Sequence, residues 1–167
     1  MGMSQRRNGT GLIEFTLLTL PVIFMTLSIL EMSLIGWKYH SMAYGVEVAA
    51  RYACIHGRNC SKNGNSCTIT VGNVANVIAS QSPALDASQL NVTLTTHASS
   101  VSCNPLNSCF SNASQFPNST DNGVGLDVTI TATYLFRNPI PFAWAGQAGS
   151  TVGTFTLGAT SRQSIVF

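Results

Sequence analysis

Charged side chains are scarce in this chain. Asp, Glu, Lys and Arg make up 8% of its 167 residues, against about 25% in an ordinary soluble domain. The formal net charge is +2 and no basic run is longer than Arg6-Arg7, so the electrostatic footprint of a nucleic-acid-binding protein is missing. A composition so poor in charge is typical of proteins that lie in an assembly, beside a membrane or outside the cell.

Sequence patterns of catalysis and of metal or cofactor binding are also missing. His40, His56 and His97 are scattered and belong to no His-x3-His or His-Glu-x2-His pattern. No Gly-x-Ser-x-Gly elbow occurs, and the glycines at 149 and 153 enclose no lysine that could bind a phosphate. The sequence therefore predicts no enzyme, no catalytic residue, no metal site and no cofactor.

Five cysteines are present, an odd number, and all follow the long apolar segment described below. Their positions predict structural disulfides in an oxidising compartment rather than a compact zinc site. The connectivity is left open, and at least one thiol is expected to be free or paired between chains. Cys103 and Cys109 bracket a short Asn/Pro/Ser loop and are plausible partners. The candidate disulfide cysteines are Cys54, Cys60, Cys67, Cys103 and Cys109.

A long apolar segment begins near the N-terminus. The run Phe15–Leu30 has no charged residue and is bounded by Glu14 and Glu31. Sixteen helical residues span about 24 Å, and the wider segment from Leu12 to Trp37 is long enough to cross a membrane. A buried helix of a soluble protein is rarely apolar on every face, so the segment is predicted to be a membrane helix, which tolerates Pro21.

The flanks of this helix predict its orientation. Arg6 and Arg7 precede it and Lys38 follows it, which favours an N-terminus in the cytoplasm. Trp37 and Tyr39 suit the aromatic belt at the far interface. The cysteines, all on the far side, favour the same orientation.

Beyond the span, the pattern predicts an α+β domain whose antiparallel sheet packs on the outer half of the same helix. Apolar residues at helical spacing extend that helix to about Cys54. A short second helix is expected over Val74–Ser80, and three strands follow from alternating apolar and polar residues. The strands are expected at 90–96, 126–136 and 151–167, with a long Ser/Asn-rich loop at about 98–122.

The residues at the membrane entry carry the functional signal. A glycine, Gly9, precedes the apolar segment, and Glu14-Phe15 begins five residues after it. A secretory signal peptide would instead have a small-residue cleavage site after its apolar core. The arrangement resembles a type IV prepilin site, and that resemblance implies cleavage between Gly9 and Thr10. Gly11 competes as the cleavage glycine, but a cut there would put Glu14 third in the mature chain.

The wider pattern resembles the TadE-like minor pilins, or pseudopilins, of tight-adherence (Flp-type) pili. Its elements are Glu14-Phe15, Pro21, Glu31, the run 49–53 and the C-terminal run 126–167. The resemblance implies a leader at 1–9, a transmembrane helix at 10–37, a periplasmic extension of it at 38–56 and an exported domain at 57–167. It implies an inner-membrane protein, single-pass, that also occurs in the extracellular pilus after assembly. The implied partners are a prepilin peptidase, the major pilin, other minor pilins, the inner-membrane assembly platform and membrane lipid.

Two glutamates are candidate assembly residues. An ionisable group within an apolar span is costly and indicates function. Glu14 is expected to pair with the new amino terminus at Thr10 of a neighbouring subunit and so to set the register between subunits. The simpler alternative is that Glu14 lies among lipid headgroups. Glu31 marks the outer interface or faces a partner helix.

Two classes of function remain open. The first is a structural subunit of an adhesive surface filament, processed at Gly9. The second is a membrane-anchored exported binding domain that never enters a filament. The state of the mature N-terminus distinguishes them.

Overall fold

A computed structural model describes residues 8–63, 67–137 and 154–166. The described residues up to Ile35 and those from Gly36 onward belong to two compact units. The leader predicted at 1–9 lies almost wholly outside the described residues, as do residues 151–153 and Phe167 of the predicted last strand.

Helix α1 covers Asn8–Cys54, 47 residues, and is about 70 Å long at 1.5 Å per residue. Its first half is apolar on all sides, and most of its large side chains are exposed. By length and composition it can cross a membrane, and no other helix in the described parts of the chain can. Pro21 lies inside it and removes one backbone donor, which membrane helices tolerate.

The described strands form one antiparallel sheet in the order β2-β1-β3-β4. The long central strand β3, Asp127–Arg137, pairs with β1 so that Val92 lies opposite Ala132. On its other side, β3 pairs with β4 so that Ile130 lies opposite Ser161. The remaining bounds are β1 Leu90–Thr95, β2 Ser100–Cys103 and β4 Thr154–Ser164.

One face of the sheet forms the core of the second unit. Alternate residues of β3, from Val128 to Phe136, are buried, as are Leu90, Val92 and Leu94 of β1. Helix α2, Val71–Gln81, adds four apolar side chains to this core. Its N-terminus has a capping box between Thr70 and Asn73. The outer half of α1 contributes Met42, Val46, Ala49, Ala50 and Ala53, all 0% exposed. The predicted α+β class, with a sheet packed on the long helix, is confirmed.

The predicted count of three strands is wrong by one. Strand β2 lies inside the segment predicted as a loop at 98–122, which also contains a 3-10 turn at Leu106–Cys109. Four residues, Ser-Val-Ser-Cys, are too few to show a period of two. Strand β2 forms a hairpin with β1. The turn between the two strands is stabilised by a side chain that is distant in the sequence. Helix α2 is also longer at its N-terminal end than the predicted Val74–Ser80.

Candidate functional site: the N-terminal helix and its outer half

The predicted cleavage position lies at the very start of α1. The backbone of Gly9 and Thr10 is in the first turn of the helix. The first four N–H groups of a helix have no acceptor within it. Opening this turn therefore breaks fewer hydrogen bonds than opening a turn in the middle of the helix.

Glu14 and Phe15 lie one turn further along and face outward. Phe15 is 69% exposed, and Glu14 is exposed beside it. No ion pair of Glu14 is formed within residues 8–63, 67–137 and 154–166. Positions 10 and 14 are four apart and share one helix face. The predicted assembly residues are therefore available at the surface of the subunit.

Hydroxyl side chains along the apolar half donate to its own backbone. Thr16 Oγ1 donates to the carbonyl of Leu12, and Thr19 Oγ1 to the carbonyl of Phe15, both at 2.7 Å. Thr26, Ser28 and Ser33 make the same kind of bond to a carbonyl three or four residues earlier. Because each of these hydroxyls has its partner inside the helix, they remain compatible with a lipid environment.

Glu31 is almost completely buried. Its side chain is 1% exposed, whereas Leu30 and Met32 on either side are 60% and 54% exposed. Its burial thus distinguishes Glu31 from the exposed residues of the span. Its assignment to a helix interface stays a prediction.

The outer half of α1 packs closely against the end of α2. A Cβ added to Gly45 would lie 1.9 Å from Ser82 Oγ and 3.3 Å from the carbonyl oxygen of Ile78. Ser82 Oγ also donates to the carbonyl of Ser41 at 3.2 Å, and the amide of Ala84 donates to Ser41 Oγ at 3.4 Å. Glycine at position 45 lets the two helices approach closely enough for these bonds.

Lys38 joins the first outer turns of α1 to the sheet. Its ammonium donates to the hydroxyl of Tyr134 at 3.1 Å. It also lies 5.0 Å from the ring centre of Tyr134 and 5.4 Å from that of Phe136, which are cation–π distances. Both aromatic residues are nearly buried. Lys38, which the sequence suggested only as a topological charge, is therefore a structural contact.

The C-terminal end of α1 contacts the last strand, β4. Cys54 Sγ donates to the carbonyl of Gln163 at 3.4 Å, and Cys54 is 3% exposed. Burial, with a smaller contribution from the negative charge of Asp127, raises the pKa of the Cys54 thiol to about 11. One turn earlier, Glu47 and Arg51 form an exposed i,i+4 pair, worth only tenths of a kcal/mol, roughly 0.2–0.5.

The structure contains two disulfides. Cys60 is bonded to Cys67, and Cys103 to Cys109. All five cysteines lie in the described parts of the chain, and Cys54 is the one without a disulfide. Within those parts, no group of three or more His, Cys, Asp or Glu side chains is arranged to hold a metal ion.

Asp121 stabilises the β1–β2 turn, a role that sequence reasoning missed. Asp121 is 3% exposed, and its carboxylate accepts bonds from Thr96 Oγ1 at 2.6 Å, the Ala98 amide at 3.1 Å and Ser99 Oγ at 3.2 Å. These donors, led by Thr96, lower the pKa of Asp121 below its ordinary value. The partners lie more than twenty residues away in sequence, so no local pattern indicates them.

Comparison with protein families gives one match. Residues 9–51 match the model of the family described as TadE-like protein. The match covers about a quarter of the chain and includes Gly9, Glu14, Phe15 and Glu31. The resemblance recognised in the sequence is confirmed over that segment. Comparisons with curated proteins and with solved structures give no match.

Proposed function

From the TadE-like segment at residues 9–51, we propose that this chain is a minor pilin, or pseudopilin, of a tight-adherence pilus and acts in pilus assembly and surface adhesion. The observation that carries the proposal is that the two halves of α1 have different surroundings. One helix has an exposed apolar first half with an acidic residue near its start, and an outer half that forms the spine of a folded domain. A structural role is also consistent with the non-enzymatic character of the family.

In this proposal a prepilin peptidase cuts the bond between Gly9 and Thr10. The support is the spacing of Gly9 and Glu14 and the position of the bond in the first turn of α1. Cleavage removes a basic leader containing Arg6 and Arg7 and leaves a free amine at Thr10. The chain is then a single-pass protein of the inner membrane, with its N-terminus towards the cytoplasm and its disulfide-containing domain in the periplasm.

Glu14 then pairs with the Thr10 amine of a neighbouring subunit. Both groups are charged, and they attract one another far more strongly in an apolar helix bundle than in water. Pairing neutralises both charges and fixes how far one subunit is displaced along another. The exposure of Glu14 leaves its carboxylate available for such a partner. The further partners are the major pilin, other minor pilins and the assembly platform.

The test compares two glutamate variants in cells that make the pilus. Glu14→Gln removes the carboxylate at the membrane entry, and Glu47→Gln, in the exposed outer half, is the matched control. We expect Glu14→Gln to reach the membrane at the wild-type level but to fall at least about tenfold in the sheared pilus fraction, a change of about 1.4 kcal/mol. Glu47→Gln should enter pili normally.

Two outcomes would oppose this proposal. Normal incorporation of Glu14→Gln would remove the pairing role. Absence of the wild-type protein from pili, with normal amounts in the membrane, would favour the other class of function, an anchored exported binding domain.

A further inference from the structure

The long strands of the sheet run alongside the outer half of α1. Lys38, near the beginning of that half, contacts Tyr134 near the end of β3. Cys54, at its other end, contacts Gln163, which pairs with Val128 near the start of β3. The rise from residue 38 to 54 is about 24 Å along a helix, and from 128 to 134 it is about 20 Å along a strand. Strand β3 therefore runs antiparallel to α1.

This direction determines which end of the sheet lies beside Lys38, the first residue after the predicted span. Tyr134 lies level with Lys38, and the last three residues of β3 continue about 10 Å beyond that level, away from Cys54. Arg137 is opposite Thr154 and Phe136 is opposite Phe155 in the register. The other end, where Val124 is located, is about 30 Å away along β4.

The exposed surface changes character at this end. Along the outward face of β3, the side chains are threonines at positions 129, 131 and 133, and then Leu135 and Arg137. Leu135, on this face, is 42% exposed, and Phe155, on the other face opposite Phe136, is 38% exposed. Trp37 in the adjoining helical turn is 59% exposed. The sequence that joins the two strand ends, 138–153, contains no charged residue. Apolar and aromatic side chains beside basic ones are the composition of a membrane–water interface.

We propose that this end of the sheet, the membrane-proximal edge formed by Leu135–Arg137 and Thr154–Thr156, rests on the lipid headgroup surface. Leu135 and Phe155 enter the interface, and the long side chain of Arg137 reaches back from the end of β3 to place its guanidinium among the headgroup phosphates. The bilayer is the occupant because the edge is continuous with the end of the membrane span through Trp37 and Lys38. This inference rests on the membrane anchor of the proposed function.

Contact with lipid at a second place gives the domain a defined orientation. A helix alone leaves the domain free to rotate about the helix axis and to tilt. The edge adds a second contact, and the bonds of Lys38 to the sheet transmit it to α1. The exported domain would then keep one orientation while the subunit is in the membrane. The edge would leave the lipid when the subunit enters a filament.

The test measures the depth of nitroxide labels in full-length protein. Leu135→Cys and Phe155→Cys are labelled separately and reconstituted into vesicles of phosphatidylethanolamine and phosphatidylglycerol. Collision of each label with oxygen, which concentrates in lipid, is compared with collision with a water-soluble nickel chelate. Val124→Cys, 58% exposed at the far end, is the matched control. Wild-type protein labelled in parallel corrects for reaction of the native cysteines.

We expect the oxygen-to-nickel ratio at 135 and 155 to exceed the ratio at 124 several-fold. Equal ratios at the three positions would overturn the proposal. Labels at 135 and 155 that are shielded from both reagents would also overturn it, since they would indicate a protein partner.

A label at Ile23→Cys, in the apolar half of α1, separates this inference from the proposed function. If the Ile23 label is accessible to oxygen and 135 is not, the lipid contact fails and the anchor stands. If the Ile23 label is accessible to nickel, the anchor fails, and the lipid contact fails with it.

Discussion

The ammonium of Lys38 donates to the hydroxyl of Tyr134 across a sequence separation of 96 residues, at 3.1 Å. This contact joins the outer half of α1 to the end of β3. The outer half of α1 and the sheet belong to the same compact unit, which begins at Gly36.

Removal of the Tyr134 hydroxyl should destabilise the domain. Tyr134→Phe keeps the ring beside Lys38 but deletes the acceptor, and the free energy of unfolding should fall by about 1 kcal/mol. Urea denaturation in detergent measures the change. Tyr44→Phe, at a position 56% exposed, is the control and should leave the free energy of unfolding unchanged. Equal effects of the two variants would argue against a structural contact at Lys38.

A methyl group at position 45 should separate α1 from α2. Gly45→Ala brings a Cβ against Ser82, which can move away only by giving up its bond to Ser41. Overpacking of this kind costs about 1–3 kcal/mol and outweighs the gain of up to about 1 kcal/mol in helix propensity. Thermal unfolding should therefore occur at a lower temperature.

Gly36→Ala is the matched control for this change. A Cβ at Gly36 meets no atom within 4 Å, so this variant should be neutral or slightly more stable. A stabilising effect of Gly45→Ala would contradict close packing of the two helices.

Asp121 should contribute to stability in a pH-dependent way. The pKa of Asp121 is lowered in the folded protein, against about 3.9 in an unfolded chain. Its contribution is therefore complete above about pH 5 and is lost progressively as the pH falls through the unfolded pKa and then through the lowered folded pKa. Asp121→Asn cannot titrate, so its free energy of unfolding should fall less steeply between about pH 5 and pH 2. Parallel curves for the variant and the wild type would refute the role of the carboxylate.

Cys54 should be unreactive until the domain unfolds. Burial raises the pKa of its thiol to about 11, and the thiolate is the reactive form. Alkylation followed by intact mass measurement should add no group to native protein and one group in denaturant. After reduction in denaturant it should add one for each of the five cysteines. An adduct on the native protein, or a disulfide-linked dimer, would contradict a buried Cys54.

Local sequence pattern was enough to predict the helix and the two long strands of the core. The apolar run after Leu12 is long and continuous, and the alternation from Val128 to Phe136 extends over many residues, so each pattern indicates one type of element. The same reasoning missed β2, which is four residues long and depends on a turn held by Asp121. A contact between residues far apart in sequence leaves no periodic signal.

In the candidate site, too, the sequence indicated some residues and did not indicate others. Gly9, Glu14 and Phe15 are close in sequence, and their spacing was sufficient to indicate a prepilin-like entry. The contacts of Lys38 and Cys54 depend on where β3 and β4 lie, which the sequence alone did not determine. The choice of Cys54 as the cysteine outside the disulfides follows from its position beside Gln163, against the edge strand.

The central claim is tested most directly by the mass of the mature protein. The chain should be expressed with and without a prepilin peptidase, extracted from membranes and measured intact, and its first residue identified. With the peptidase, the account predicts loss of residues 1–9 and a chain that begins at Thr10. Without it, the leader should remain. A chain that keeps Met1 in the presence of an active peptidase would contradict the account.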